Sequence, residues 1–149
     1  MHRLERILVP LDFSPLADAI QAWAARLARD HGASLLLLHA VHMPADLARV
    51  EGVILPADFS GRIQEEARKA LGDRVAALQR EGITAEARVR EGHPTEVILE
   101  EAGRLPADLI VIGTKGLSGL KHLFLGSVAE KVVQSAPCAV LTVKAPAEA

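Results

Sequence analysis

The chain is poor in aromatic side chains and in cysteine. Its 149 residues include three Phe, one Trp and no Tyr, and the only Cys is Cys138. So few rings cannot form the stacking platform on which single-stranded nucleic acids bind. One thiol excludes an intramolecular disulfide and a cysteine metal cluster. Because Cys138 lies in an apolar run, we interpret it as a small buried hydrophobe.

The chain also lacks a strong net charge and long hydrophobic runs. Its formal net charge is −2 and its pI is about 6.3, so no basic field attracts nucleic acid. No apolar run approaches the length of a membrane span, and the run that follows residues 1–6 is too short for a signal peptide. We therefore expect a cytoplasmic protein that binds neither nucleic acid nor membranes.

What the chain does contain is enough apolar material for one globular domain. Half of its residues are hydrophobic and 24% are charged, a composition typical of folded domains. A length of 149 residues fits one domain with its own core. We predict a single domain over residues 1–149, with a frayed tail at residues 144–149.

Apolar runs alternate with amphipathic stretches along the chain. Strands are predicted at residues 6–11, 34–41, 83–91, 107–112 and 137–143, and helices at residues 15–31, 61–80, 94–105 and 127–135. Residues 42–60 show no clear periodicity. The alternation predicts an α/β fold, a five-stranded parallel open sheet in the order 3-2-1-4-5 with helices on both faces. In such a sheet a ligand binds beyond the carboxyl ends of the first and fourth strands.

The first predicted helix has a clear start and a clear apolar face. Ser14 followed by Pro15 is typical of a helix cap with proline at the first helical position. Apolar residues spaced four, three and four apart predict one inward stripe: Leu16, Ile20, Trp23 and Leu27. We therefore expect the helix to begin at Pro15 and to bury Trp23.

A glycine-rich segment follows the predicted fourth strand. Its glycines include Gly113, Gly116 and Gly126, and Ser127 comes directly after the last of these. Glycine lets backbone N–H groups approach an anion closely, and Ser127 is placed to start the next helix, whose N-terminus could meet phosphate oxygens. We interpret the segment as a nucleotide phosphate site. The alternative is a surface loop in which Ser127 is an ordinary helix cap.

The predicted topology brings the end of the first strand to the same loop. Pro10 and Asp12 lie there, and Asp12 could accept hydrogen bonds from ribose hydroxyls or help to hold a divalent cation. The alternative is that Asp12 forms a turn with Ser14. His39 and Val41 flank the crevice from the second strand, where their backbone could read the edge of a base. His39 has the alternative of a histidine that is hydrogen-bonded near a strand end.

These segments resemble the universal stress protein family, in its ATP-binding branch. The resemblance covers essentially the whole chain and includes residues 7–14, 37–41 and 108–113. Its most specific mark is the pattern G-x2-G-x9-G-[S/T], which is present as Gly113, Gly116, Gly126 and Ser127. The resemblance implies an adenine-nucleotide alpha-hydrolase-like fold.

The resemblance also implies a ligand, a set of contacts and a partner. The ligand would be ATP with a divalent metal, Mg²⁺ or Mn²⁺. The nucleoside would contact Pro10, Asp12 and Val41. The ribose and phosphates would contact the glycine segment at Gly113, Gly116, Gly126, Ser127 and Val128. The protein would form a homodimer through its last strand, which makes physical sense because an apolar edge strand is otherwise a liability.

Two functions from different classes fit such a site. One is a nucleotide-dependent switch that acts on an unidentified regulatory protein, and the other is a slow ATPase or autophosphorylating enzyme. The chain has no G-x4-G-K-[S/T] loop and no Arg between Gly113 and Ser127, so we expect slow or absent turnover and predict no catalytic residue. A flavin-based redox module is disfavoured, since Cys138 is alone and aromatic residues are few.

Overall fold

The computed structural model describes residues 2–43, 52, 57–115 and 125–145. Strands and helices alternate throughout this part of the chain. The elements are β1 (Arg6–Pro10), α1 (Ala17–His31), β2 (Ser34–Val41), α2 (Phe59–Arg80), β3 (Ala85–Glu91), α3 (Pro94–Arg104), β4 (Leu109–Gly113), α4 (Ser127–Ser135) and β5 (Ala139–Val143). Within these ranges, none of the helices combines the length and the apolar character that a membrane crossing requires.

The five strands form one parallel sheet in the order β3-β2-β1-β4-β5. β1 pairs with β2 as far as Pro10, which lies opposite Leu38, and β4 ends with Gly113 opposite Val143 of β5. The predicted fold class and strand order are therefore confirmed. Because the winding reverses between β1 and β4, the carboxyl ends of these two strands border a crevice.

A hydrophobic core lies on each face of the sheet, because successive side chains of a strand point to opposite faces. On one face Ile7 and Val9 pack with α1 and α2, and on the other Leu8 packs with α3 and α4. Cys138 is half-buried against the second of these clusters. Burial, together with the charge of Asp108, raises the pKa of its thiol. The side chain is thus a poor nucleophile, as expected of a structural cysteine.

Helix α1 begins two residues later than predicted. Its N-cap is Leu16, and no side chain caps the first turn. Ser14 is not the cap, because its N–H donates to Asp12 Oδ1 at 3.0 Å and its carbonyl accepts from Ala17 N–H at 3.0 Å. The chain therefore makes a separate turn before the helix starts. At the other end the predicted stop is confirmed, since Gly32 has φ 67° and caps the helix.

The predicted inward stripe of α1 is wrong at Trp23, which is 54% exposed. The buried side chains of α1 are mostly small: Ala17, Ile20, Ala24, Ala25 and Ala28. They let the helix lie close to the sheet, which leaves the large indole ring outside. Ala87 of the edge strand β3 is also exposed. Strands β3, β4 and β5 each begin two residues later than predicted.

The two edges of the sheet differ in charge. The edge strand β3 carries four charged side chains, Glu86, Arg88, Arg90 and Glu91. Charges of this kind oppose pairing with a further strand. The opposite edge strand, β5, reads Ala-Val-Leu-Thr-Val and is partly exposed. The large hydrophobic side chains exposed in the described ranges, Trp23 and Val133, lie on α1 and α4, and both of these helices contact β5.

A buried carboxylate joins β3 to α3. Glu101 is fully buried, and its carboxylate accepts from Arg88 Nη1 at 2.5 Å and from Arg90 Nη1 at 3.1 Å. Arg104 Nη1 lies 3.8 Å from the same carboxylate. The hydrogen bond from Arg90 to Glu100, with the charges of both glutamates, raises the pKa of Arg90 above its usual value. Three cations therefore compensate one buried negative charge.

The Asp108 carboxylate ties the start of β4 to the start of β1. It accepts hydrogen bonds from the backbone N–H of Glu5 at 3.0 Å and of Arg6 at 2.9 Å. These two bonds, with the positive charges of Arg6 and His2, hold the pKa of Asp108 below its usual value. The ionised carboxylate therefore favours the folded state.

We expect Asp108→Asn to lower the free energy of unfolding at neutral pH by about 0.5–1 kcal/mol, since water screens this exposed carboxylate. The folded-state pKa lies below the unfolded-state pKa. The contribution is therefore complete above the unfolded-state value and is lost as the pH falls through the folded-state value. Urea unfolding at a series of pH values from neutral to acid measures the difference in free energy of unfolding between wild type and variant. This difference should become smaller as the pH falls. Asp73→Asn, on the exposed surface of α2, is the control, and a gap independent of pH would contradict the prediction.

Candidate functional site

The chain leaves the sheet at neighbouring points after β1 and β4, which are paired strands. After β1, Leu11 N–H donates to Leu38 O at 2.8 Å. After β4, Thr114 N–H donates to Val143 O at 2.9 Å. Pro10 is buried at the end of the β1 pairing. The structure therefore places the two segments that the sequence predicted to meet at the same edge of the sheet.

At two of the predicted glycines an added Cβ would be crowded, at Gly113 by the ends of two flexible side chains and at Gly126 by a backbone oxygen. A Cβ on Gly113 would lie 2.8 Å from Leu16 Cδ2 and 2.9 Å from Ile20 Cδ1. A Cβ on Gly126 would lie 3.1 Å from Thr114 O. Gly113 therefore lets α1 pack against the end of β4, and Gly126 lets the start of α4 lie against the backbone after β4. Gly116, the third predicted glycine, lies outside the described residues.

The backbone of Thr114 has a role at the site that the sequence does not predict. It is buried, and its carbonyl accepts the N–H of Gly126 at 2.6 Å while its own N–H is bound to β5. Its backbone thus fixes the start of α4 relative to the end of β5. The only sequence signal for this role is its place directly after Gly113, because backbone hydrogen bonds do not demand a particular side chain.

Helix α4 begins at Ser127, as predicted, and its N-cap is Gly126, so the alternative of Ser127 as the cap is wrong. Gly126 has no side chain that could cap this helix, and Glu130 N–H donates to Gly126 O at 2.9 Å. The N–H groups of residues 127–129 precede that first intrahelical bond. Ser127 is exposed, while Val128 is half-buried against the second core cluster. These donors and the positive end of the helix dipole suit phosphate oxygens.

A strained residue lies beside the predicted acid of the β1–α1 turn. Phe13 has φ 61°, the one positive φ of a non-glycine residue in the described ranges. This conformation costs about 1–2 kcal/mol in a residue with a Cβ. Ser14 N–H donates to Asp12 Oδ1, which confirms the turn alternative for Asp12. Asp12 is nevertheless half-exposed, so the turn does not exclude a ligand from its carboxylate.

The end of β2 borders the same turn. His39 Nδ1 lies 2.7 Å from Leu11 O, and the ring centroids of His39 and Phe13 are 4.5 Å apart. His39 is thus hydrogen-bonded near a strand end, which is the alternative considered for it. Val41 is buried, and its carbonyl accepts from Gly92 N–H at 3.0 Å. A carbonyl has a second lone pair, so this bond does not exclude contact with a base.

Charged side chains around the crevice are few in the described residues. Residues 2–43, 52, 57–115 and 125–145 contain no group of three or more His, Cys, Asp or Glu side chains arranged to hold a metal. Asp12 supplies a carboxylate at the crevice, and Lys115, directly after Thr114, is half-buried. Two further basic residues of the glycine-rich segment, Lys121 and His122, lie outside the described residues.

Comparison with known proteins is consistent over nearly the whole chain. The sequence matches the universal stress protein family over residues 3–144. A universal stress protein of Thermus aquaticus is 37% identical over 139 residues, which cover 93% of this chain and 97% of the relative.

Solved structures agree with the sequence match. The universal stress protein UspA from Lactobacillus plantarum superposes with a TM-score of 0.79 at 26% identity, covering 96% of this chain and 99% of that one. A universal stress protein in complex with cAMP superposes with a TM-score of 0.65 at 25% identity, covering 96% and 98%. The fold is adenine-nucleotide alpha-hydrolase-like. With a family match over residues 3–144 and a five-stranded sheet of the same architecture, the chain belongs to the universal stress protein family.

Proposed function

We propose that this protein binds an adenine nucleotide, ATP with Mg²⁺ or Mn²⁺, in the crevice between β1 and β4, and acts as a nucleotide-dependent regulatory switch. The observation that carries the proposal is the start of α4. Gly126 lies against Thr114 O at a distance that admits no Cβ without a shift, and the helix that follows begins with backbone donors that its own N-cap residue leaves uncapped. Such donors bind phosphate oxygens well.

Each part of the nucleotide has a place in this arrangement. The N–H groups at Ser127 and Val128 would bind phosphates, and the Ser127 hydroxyl is exposed beside them. The Asp12 carboxylate would accept hydrogen bonds from the ribose. The base would lie toward Pro10 and Val41. The related protein solved with cAMP supports an adenine ligand, since cAMP contains an adenine, a ribose and a phosphate.

A divalent metal fits this site as a companion of the phosphates. The described residues hold no three-ligand cluster that would bind a metal without a nucleotide. Mg²⁺ is commonly held by one or two carboxylates together with substrate phosphates and water. As the alternative to a ribose contact, Asp12 would supply that carboxylate, and the metal would neutralise phosphate charge.

The test begins with purification in the absence of added nucleotide, followed by denaturation and chromatography of what is released. Calorimetry with ATP and Mg²⁺, AMP, cAMP and GTP then ranks the ligands. We expect adenine nucleotides to bind and GTP to bind more weakly. A protein that releases no nucleotide and binds none of the four would overturn the proposal.

The second candidate function is slow ATP hydrolysis or autophosphorylation at the same crevice. No Arg lies between Gly113 and Ser127 to stabilise charge on the transferred phosphoryl group. We therefore expect less than one turnover during the time of a binding experiment. Sustained turnover that Gly126→Val abolishes would favour the enzyme over the switch.

The regulatory protein partner is unidentified, and a cytoplasmic location stays a prediction from the sequence.

We also propose a homodimer paired through β5. The uncharged β5 edge contrasts with the charged β3 edge, and Trp23 lies on a helix that contacts β5. Pairing of two β5 strands would bring Trp23 close to the second protomer. Trp23 is the chain's only Trp, so its emission should shift to shorter wavelength as the protein concentration rises through the dimerisation range. Sedimentation that shows a monomer throughout, with unshifted emission, would contradict the dimer.

A further inference from the structure

A residue of another strand contacts the strained β1–α1 turn. Phe13 has φ 61°, a conformation that an aromatic residue adopts only when its surroundings impose it. His39 of β2 makes two contacts with this turn. Its ring lies against the Phe13 ring at a centroid distance of 4.5 Å with a tilt of 43°, and its Nδ1 lies 2.7 Å from Leu11 O.

These two contacts involve the residues on either side of Asp12, the predicted partner of the ribose. Leu11 precedes Asp12 and Phe13 follows it, so His39 contacts both residues that flank the Asp12 carboxylate. A carbonyl oxygen only accepts hydrogen bonds, and Nδ1 therefore carries the proton in this contact. The turn continues with Ser14 N–H donating to Asp12 Oδ1 at 3.0 Å. The direction of the Asp12 carboxylate thus depends on the φ of Phe13 and on the position of Leu11 O.

We propose that His39 is a positioning residue for nucleotide binding. Its Nδ1–H fixes Leu11 O, and this hydrogen bond, more than the ring contact with Phe13, holds the strained turn so that Asp12 faces the ribose or the metal. This role rests on the proposed function of the crevice. A histidine that merely fills space near a strand end would affect stability but would not act through Asp12.

Two substitutions separate the hydrogen bond from the ring. His39→Phe keeps an aromatic ring against Phe13 and removes the donor to Leu11 O. His39→Asn removes the ring and keeps a donor, because the Asn Nδ2, like the His Nδ1, is bonded to Cγ. We expect His39→Phe to weaken binding of ATP with Mg²⁺ about tenfold in calorimetry, and His39→Asn to stay within about threefold of wild type.

A double-mutant cycle with Asp12→Asn tests whether His39 acts through Asp12. If it does, adding His39→Phe to Asp12→Asn should weaken binding by less than about threefold. A tenfold loss in both backgrounds would overturn the proposal, and so would wild-type affinity in His39→Phe or equal losses in His39→Phe and His39→Asn. Wild-type protein that binds no nucleotide would instead overturn the proposed function, and with it this role.

A second measurement needs no nucleotide. Amide hydrogen exchange at Ser14, whose N–H donates to Asp12, should be faster in His39→Phe than in wild type and unchanged in His39→Asn. Thermal unfolding of each variant shows that the compared proteins are folded. Unchanged exchange at Ser14 in a folded His39→Phe protein would show that His39 does not hold the turn.

Discussion

Gly126→Val is expected to weaken the binding of ATP with Mg²⁺ at least about 30-fold, which corresponds to about 2 kcal/mol. A Cβ at this position would lie 3.1 Å from Thr114 O and 3.8 Å from Lys115 Cα. The crowded oxygen also accepts the Gly126 N–H at 2.6 Å. A branched side chain must therefore push the start of α4 away from Thr114, and the first-turn donors move with it. Calorimetry of wild type and variant measures the loss of affinity for ATP with Mg²⁺.

The matched control is Gly72→Val in α2. Gly72 is exposed within the helix, and a Cβ there would meet nothing within 4 Å. Valine and glycine are both weak helix formers, so the control should change stability by less than about 1 kcal/mol. It should bind ATP as the wild type does. Binding within about threefold of wild type in a folded Gly126→Val protein would contradict the assignment of α4 as the phosphate site.

Glu101→Ala is expected to lower the free energy of unfolding by about 2–4 kcal/mol, because it removes a buried charged group. The carboxylate is fully buried and accepts hydrogen bonds from Arg88 and Arg90. Its removal leaves those guanidinium groups facing a cavity beside a core. In thermal unfolding the midpoint should fall by about 6–12 °C.

Glu100→Ala is the control, since Glu100 is the neighbour of Glu101 and shares its partner Arg90. The Glu100 carboxylate accepts from Arg90 Nη2 at 2.8 Å, but its side chain is 52% exposed. An exposed pair contributes little, so this variant should lose less than about 1 kcal/mol. Equal losses in the two variants would mean that desolvation of Glu101 offsets its ion pairs.

The alternation of apolar runs and amphipathic stretches was enough to predict the sheet order and both helical layers. It was not enough to locate the start of α1 or the direction of Trp23. The start of α1 depends on Ser14 turning back to Asp12, a contact that competes with capping. The direction of Trp23 depends on how closely the alanine face of α1 approaches the sheet. Both are tertiary effects that periodicity does not contain.

The candidate site shows the same division. The spacing of Gly113, Gly126 and Ser127 predicted where the chain leaves β4 and where α4 begins. The structure adds Thr114 O, the strained φ of Phe13 and the partner of the His39 hydrogen bond, which is Leu11 O. The first acts through its backbone, and the others need a partner that is distant in the sequence. Residue types alone carry no signal for such contacts.

The strand order also constrains when the site can exist during synthesis. β1 is made first and can pair early with β2, but its other neighbour, β4, follows much later, as the Asp108 bond to Arg6 across 102 positions shows. Pairing at such separation is slow, because the closure of a long loop precedes any gain from contacts. A nascent chain that ends before α4 would hold Asp12 without the backbone donors at the start of that helix. The proposed nucleotide site would therefore be complete only after α4 is made, and a bound nucleotide would stabilise the folded state from that point on.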